Sequence, residues 1–181
     1  EPSRANRSLP SYSVTKIIAV SSSAKERQLQ ECEKMTKTMR GGCGCGDTRY
    51  EFTCEPLSCY ACHCTDCQSR SGAAFTLTAI IPLVEIEVTR GEPSTFQHNA
   101  IDFRNCLTCG GRLWAVWNAI PDFALLAVGT LDDTSQVRPI AHIWTRSAQS
   151  WIGLNDDAAT FELQPEDPTI LLDLWNKRRE A

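Results

Sequence analysis

The sequence predicts a mainly β domain with peripheral helix. Three observations carry that prediction. The apolar segments are strand-sized, with Phe123–Val128 among the longest. Many of them alternate, or end at Gly, Pro or Asn turns. Seven cysteines fall into tight groups, at Cys43/Cys45, Cys62/Cys64/Cys67 and Cys106/Cys109, and such groups crosslink small β folds.

From Arg40 onward the elements follow in order. Gly41–Gly46 holds four glycines around Cys43 and Cys45, so the backbone can wrap tightly round an ion. Arg49–Cys54 alternates and reads as a strand, Pro56 interrupts it, and the Cys62–Cys67 stretch follows as a loop. Ala73–Ile81 is a strand that Pro82 breaks. Glu85–Thr89 alternates again before the turn Arg90-Gly91-Glu92-Pro93. Thr95–His98 and Ile101–Arg104 make a hairpin around Asn99. Leu113–Trp117, Phe123–Val128 and Val137–Trp144 are further strands. Pro168–Arg178 is a helix capped by Asp167, with Ile170, Leu171, Leu174 and Trp175 on one apolar face.

Residues 1–39 differ in character and are expected to be a partly disordered N-terminal extension. Glu1–Ser13 is rich in Ser, Arg, Asn and Pro. Lys16–Val20 reads as a short strand, and Ser23-Ala24-Lys25-Glu26 as a capping box for a helix over Ala24–Met35. Met35 or Met39 is a candidate start for the domain proper. Residues 40–181 then form the metal-binding domain with its C-terminal helix.

Composition excludes several functions. The chain has 181 residues and a net charge of -4. Residues 1–39 carry +3 and residues 40–181 carry -7, so the main domain lacks the clustered Lys/Arg that nucleic acid requires. No apolar run approaches the ~18 residues of a membrane span. The basic run Lys177-Arg178-Arg179 ends a helix, where cations suit the dipole. The sequence leaves room for a homo-oligomer.

The cysteines carry the chemistry. Ten is an even count, but CxC and CxxC spacings suit a shared metal better than disulfides. The first residues do not resemble a secretory signal. Thiolate ligands and a reducing, cytoplasmic compartment follow. Cys43, Cys45, Cys106 and Cys109 supply the four soft ligands of a closed, structural zinc site. Cys62, Cys64 and Cys67 supply three, which leaves a vacant fourth position of the catalytic kind. His63, Cys59 and Asp66 are the candidates to fill it, and a fourth protein ligand would close the site. A vacant position on a thiolate-rich zinc suits an exogenous thiol, whose pKa the metal lowers. The second zinc is expected to be the more labile.

These motifs resemble the glutathione-dependent formaldehyde-activating enzyme family, which includes centromere protein V-like domains. The resemblance rests on Gly42-Cys43-Gly44-Cys45-Gly46 with Arg49-Tyr50, on Cys62–Cys67 with Gly72-Ala73-Ala74-Phe75, and on Cys106-Leu107-Thr108-Cys109-Gly110. Gly129–Asp133 and Arg138–Trp144 extend it, so that it spans about residues 40–165. It implies stacked antiparallel sheets in a β-tent. It implies a structural zinc on Cys43, Cys45, Cys106 and Cys109 and a second zinc on Cys62, Cys64 and Cys67. It also implies a carbon–sulfur lyase that joins or separates glutathione and formaldehyde as S-hydroxymethylglutathione. Position 68 is Gln where many members carry Arg, and Arg70 is a substitute cation.

The expected catalytic set is Cys62, Cys64 and Cys67. The expected substrate-binding set is Gln68, Arg70, Ser71, Gly72 and Phe75, with amides around Ser71–Ala73 holding the aldehyde. Arg49, Arg70, Arg104 and Arg112 are weighed as carboxylate anchors for a tripeptide. His142 reads as a hydrogen-bonded core histidine or a general acid/base. Trp114, Trp117, Trp144 and Trp151 read as packing, or one of them as a pocket floor, and Asp132-Asp133 as a turn. Two other functions stay open: a related enzyme on another thiol adduct or a specialised metabolite, and a non-catalytic zinc module that binds a partner.

Overall fold

Segments of three to seven residues, cut by Gly, Pro and Asx turns, build two sheets. The computed structural model describes residues 38–154 and 157–180. The elements expected at Glu1–Ser13, Lys16–Val20 and Ala24–Met35 lie outside them. In chain order the strands are β1 (Met39–Gly42), β2 (Arg49–Phe52), β3 (Ser58–Cys62), β4 (Thr76–Pro82), β5 (Glu87–Arg90), β6 (Pro93–His98), β7 (Ile101–Cys106), β8 (Arg112–Trp117), β9 (Phe123–Ala127), β10 (Ala141–Ile143) and β11 (Ala159–Phe161). The helices are α1 (Thr65–Ser71) and α2 (Ile170–Glu180).

One sheet has the order β1-β2-β5, and the other β11-β10-β3-β4-β9-β8-β7-β6. Pairing is antiparallel except where β10 runs parallel to β3 and β11. The class is therefore mainly β with stacked sheets, as expected. Burial follows position in the sheet. Central β4 and β8 are buried along most of their length, while β5 and most of β6 are exposed. Leu113, Leu126 and Ile81 have no exposure, and each stabilises the fold by ~1.5–3 kcal/mol.

The two sheets meet where β1 and β2 approach the segment after β9. Gly41 bridges Leu131, Tyr50 Oη hydrogen-bonds Thr130 Oγ1 at 2.7 Å, and Arg49 pairs with Asp132. A Cβ on Gly41 would stand 2.5 Å from Thr130 O and from Tyr50 Oη, so only glycine permits this approach.

Several expectations shift. The stretch around Cys62 is no loop: Ser58–Cys62 is a strand and Thr65–Ser71 a helix. The strand expected over Val137–Trp144 shortens to Ala141–Ile143, because Pro139 interrupts it. β11 was not anticipated. The C-terminal helix begins at Ile170, and Asp167 Oδ1 accepts from Thr169 N at 2.9 Å.

Candidate metal centres

Cys43 and Cys45 lie just past β1, in the turn that leads to β2. The turn is closed by Cys43 N–H to Thr48 O at 3.0 Å. A Cβ on Gly42 would stand 2.4 Å from that same Thr48 oxygen. Cys106 ends β7, and Cys109 follows in a knuckle held by Gly110 N–H to Cys106 O and Cys106 N–H to Gly111 O, both 2.9 Å. Gly110 has φ +69, which a side-chain-bearing residue rarely adopts. The two pairs converge, and all four sulfurs lie within 4.8 Å of one another. Cys43 Sγ and Cys45 Sγ are 3.3 Å apart, and Cys45 Sγ and Cys106 Sγ 3.7 Å. A tetrahedral ion with Zn–S bonds of about 2.3 Å needs sulfurs about 3.8 Å apart, so this donor set fits one ion.

Amides face these sulfurs. Thr48 N–H donates to Cys43 Sγ at 3.2 Å and holds the Cys43 thiol below its ordinary range. The Thr48 side chain and the Cys109 amide bring Cys106 down to about 6. A backbone hydrogen bond from Asp47 lowers Cys45, but its hydrogen bonds to neighbouring thiols and burial outweigh that and push it up to about 12. Gathering sulfurs without a cation thus confines the negative charge to some of them.

The second group forms at the β3–α1 junction. Cys62 is the last residue of β3. Cys64 caps α1, its sulfur accepting from Cys67 N–H at 3.3 Å. Gly72 ends the helix in the left-handed region with its N–H on Gln68 O. One short turn therefore places Cys62, Cys64 and Cys67 with all sulfurs within 4.8 Å. Bonds from Cys62 and then Cys64 stabilise a Cys67 thiolate, and Thr76 and the charge of Arg112 add to them, so its pKa falls well below the thiol range. Cys62 is driven up by its bonds to Cys64 and Cys67 and by burial. For Cys64, the Cys62 thiol lowers the pKa, but Cys67 and burial outweigh it and the net shift is upward. Negative charge in the group is therefore favoured on Cys67, while Cys62 and Cys64 favour the thiol.

Cys59 and His63 do not join it. Alternation along β3 turns Cys59 to the opposite face from Cys62, into a different core cluster. Burial pushes its thiol up to about 12. His63 is fully buried, its Nε2 2.9 Å from His142 Nδ1 and its ring 5.2 Å from Phe75. Asp66 sits in the first turn of α1. Among the described residues, three sulfurs are the whole ligand set. Cys54 is buried and disulfide-bonded, which departs from the expectation of metal-binding thiols and a reducing compartment.

The expected substrate-binding residues lie along α1 and just beyond it, with unequal freedom. Gln68 Nε2 donates to His63 O at 2.7 Å and Ser147 O at 2.8 Å, and its Oε1 accepts from Gln149 at 2.7 Å. Ser71 Oγ donates to Cys67 O and accepts from Ala73 N–H at 3.2 Å. The Gly72 and Ala73 amides expected to hold the aldehyde are thus already engaged. Arg70 lies over the Phe103 ring, 4.7 Å from its centroid. Of the other weighed anchors, Arg49 is paired with Asp132 and Arg104 bonds Thr95 at 2.7 Å. Arg112 begins β8 beside the β7 irregularity at Arg104/Asn105, and its charge reaches Cys67.

Sequence reasoning missed Thr76 and Ser147. Thr76 is buried opposite Cys62, and only its position one residue past Phe75 signals it. Trp144 is one of the four tryptophans expected to pack or to floor a pocket. It packs against the Cys62 cluster with φ +61, strain of the sort that collects at functional sites.

The family model described as glutathione-dependent formaldehyde-activating enzyme matches residues 38–147. A crystal structure of a Rhodobacter sphaeroides protein is similar at 19% identity, covering 68% of this chain and 99% of its own, with a TM-score of 0.44. No curated protein matches.

Proposed function

Because this chain belongs to the glutathione-dependent formaldehyde-activating enzyme family, we propose that it is a zinc-dependent carbon–sulfur lyase for S-hydroxymethylglutathione. One observation carries the reading: three clustered sulfurs with no fourth protein ligand among the described residues. Zinc held there would leave one coordination position and lower the pKa of a thiol that takes it.

The chain's own residues supply the rest. Cys62, Cys64 and Cys67 fix the position at the end of β3, where Thr76 and Trp144 border the cluster. Arg70 and Arg112 have no carboxylate partner among the described residues, and they suit the carboxylates of glutathione. In the forward direction the thiol sulfur bonds the formaldehyde carbon, the carbonyl electron pair moves to oxygen, and the thiol proton ends on that oxygen. Ser71, Gly72 and Phe75 shape the rim at the end of α1, and Gln68 braces it. The four-sulfur group is assigned a structural zinc. Residues 40–181 are the catalytic domain, residues 1–39 an extension, and the compartment cytoplasmic. No helix among the described residues is long and apolar enough to cross a membrane.

NMR exchange spectroscopy of glutathione with formaldehyde tests this. The protein should accelerate exchange over the spontaneous reaction, and Cys64→Ala should abolish the acceleration. Exchange at the spontaneous rate refutes it. A second reading, a different thiol adduct, is favoured by the fully engaged amide of Gln68. It prevails if glutathione fails to bind while Cys64-dependent activity appears with another thiol.

A further inference from the structure

We infer that His142 is a positioning residue for the three-sulfur cluster, acting through His63, the residue between Cys62 and Cys64. The inference rests on the reading of that cluster as a metal site.

Every polar handle of His63 but one is tied to a distant part of the chain. Its N–H donates to Ile143 O at 3.0 Å. Its carbonyl accepts from Gln68 Nε2 at 2.7 Å and Ser147 Oγ at 3.0 Å. Its Nε2 meets His142 Nδ1 at 2.9 Å. Nδ1 alone is buried without a partner. A bare buried lone pair is tolerated better than a bare buried N–H. That assigns the hydrogen: His63 Nε2–H donates and His142 Nδ1 accepts.

The geometry also says what the pair is for. Ala141–Ile143 lies parallel to Tyr60–Cys62, with His142 opposite Ala61 and Ile143 opposite Cys62. Alternation puts His142 and His63 on the face away from Cys62. Neither ring faces the cluster, so neither competes for the metal. What they fix is the backbone between two ligands. The three sulfurs come from six consecutive residues, and such a turn has few restraints of its own. Holding the middle residue from behind sets the Cys62–Cys64 spacing before a metal arrives, which lowers the ordering cost of binding.

Cobalt titration of the metal-free full-length protein tests this, read by thiolate-to-cobalt charge-transfer absorption. Cys64→Ala identifies which binding phase belongs to the three-sulfur cluster. His142→Leu should weaken that phase by about 10–100-fold, the usual effect of losing a residue that orients a ligand. The four-sulfur phase should stay within about threefold. His142→Asn places an amide oxygen near the former Nδ1 and should keep the first phase within about threefold of wild type. Gln68→Leu, at a half-exposed site where folding is safer, should show the same selective weakening.

The inference is overturned if His142→Leu leaves the phase unchanged, if both phases weaken together, or if Asn and Leu behave alike. Should His142→Leu not fold, an unselective or absent effect in Gln68→Leu overturns it. A wild-type protein with no Cys64-dependent phase refutes the metal reading itself, and this inference with it.

Discussion

Loading the three-sulfur cluster at neutral pH should release about two protons per ion, because metal ligation requires thiolates and only one is present beforehand. Cys67 is held down by hydrogen bonds from Cys62 and Cys64, so it is already ionised. Cys62 and Cys64 are raised and carry their protons. The sign follows from these directions. Rising pH removes protons that compete with the metal, so apparent affinity increases. With two protons displaced, the gain is about two decades, or roughly 2.7 kcal/mol, per pH unit. The slope persists upward until Cys64 itself titrates. It steepens only at acid pH, where Cys67 protonates as well.

The assay is calorimetric titration of zinc into protein whose four-sulfur site is already filled. Buffers of different ionisation enthalpy give the proton count, and titrations at pH 6 and pH 7 give the slope. Release of about one proton would mean a second thiolate exists without metal, and about three would mean Cys67 is a thiol. Either result refutes the charge distribution argued from the hydrogen bonds, and a count unchanged in Cys64→Ala would move the binding elsewhere.

Three further outcomes follow from the framework. Gly42→Ala would set a Cβ 2.4 Å from Thr48 O, the acceptor for Cys43 N–H; denaturant unfolding should show a loss of roughly 1–3 kcal/mol, and an unchanged midpoint would refute the packing argument. Cys109 is exposed, so Cys109→Ser should change metal-free stability by less than about 0.5 kcal/mol yet remove the stabilisation that zinc gives the wild type. Calorimetric melting with and without chelator checks this, and a wild-type Tm indifferent to chelator counts against the closed site. Asn99 joins β6 to β7 with φ 53; Asn99→Ala should cost about 1 kcal/mol and Asn99→Gly should not, as thermal unfolding of the pair would show.

Ligand chemistry was the most legible layer of the sequence, because residue type and spacing encode it directly. Both cysteine groups assemble along the lines drawn from CxC and CxxC spacing. Alternating segments such as Arg49–Phe52 and the hairpin around Asn99 were legible for the same local reason. The failures are equally physical. Thr65–Ser71 is polar and capped by a cysteine, which lies outside the usual Ser, Thr, Asp and Asn caps. Pro56 masked the β3 strand that follows it. β10 pairs in parallel with β3 across about eighty residues, a contact that no local pattern announces. The His63–His142 bond spans the same interval. What holds the candidate site in place was therefore the least readable part of it.

The two cysteine groups differ in how far along the chain they reach, and that difference argues for their division of labour more firmly than burial does. Burial alone misleads: the four-sulfur group has two exposed members, while the three-sulfur group is buried or half-buried throughout. The four-sulfur group draws one pair from the end of β1 and the other from β7 and its knuckle, in different sheets. An ion there would join two sheets that also share a hydrophobic core and meet at Gly41, Tyr50 and Arg49, so its removal would act on both. The three-sulfur group is local to one turn and crosslinks nothing remote. An ion there adds little to the architecture, and the fold instead spends contacts from β10 and Ser147 on shaping the turn. A site that the scaffold supports, and that does not support the scaffold in return, is one whose value lies in what it binds.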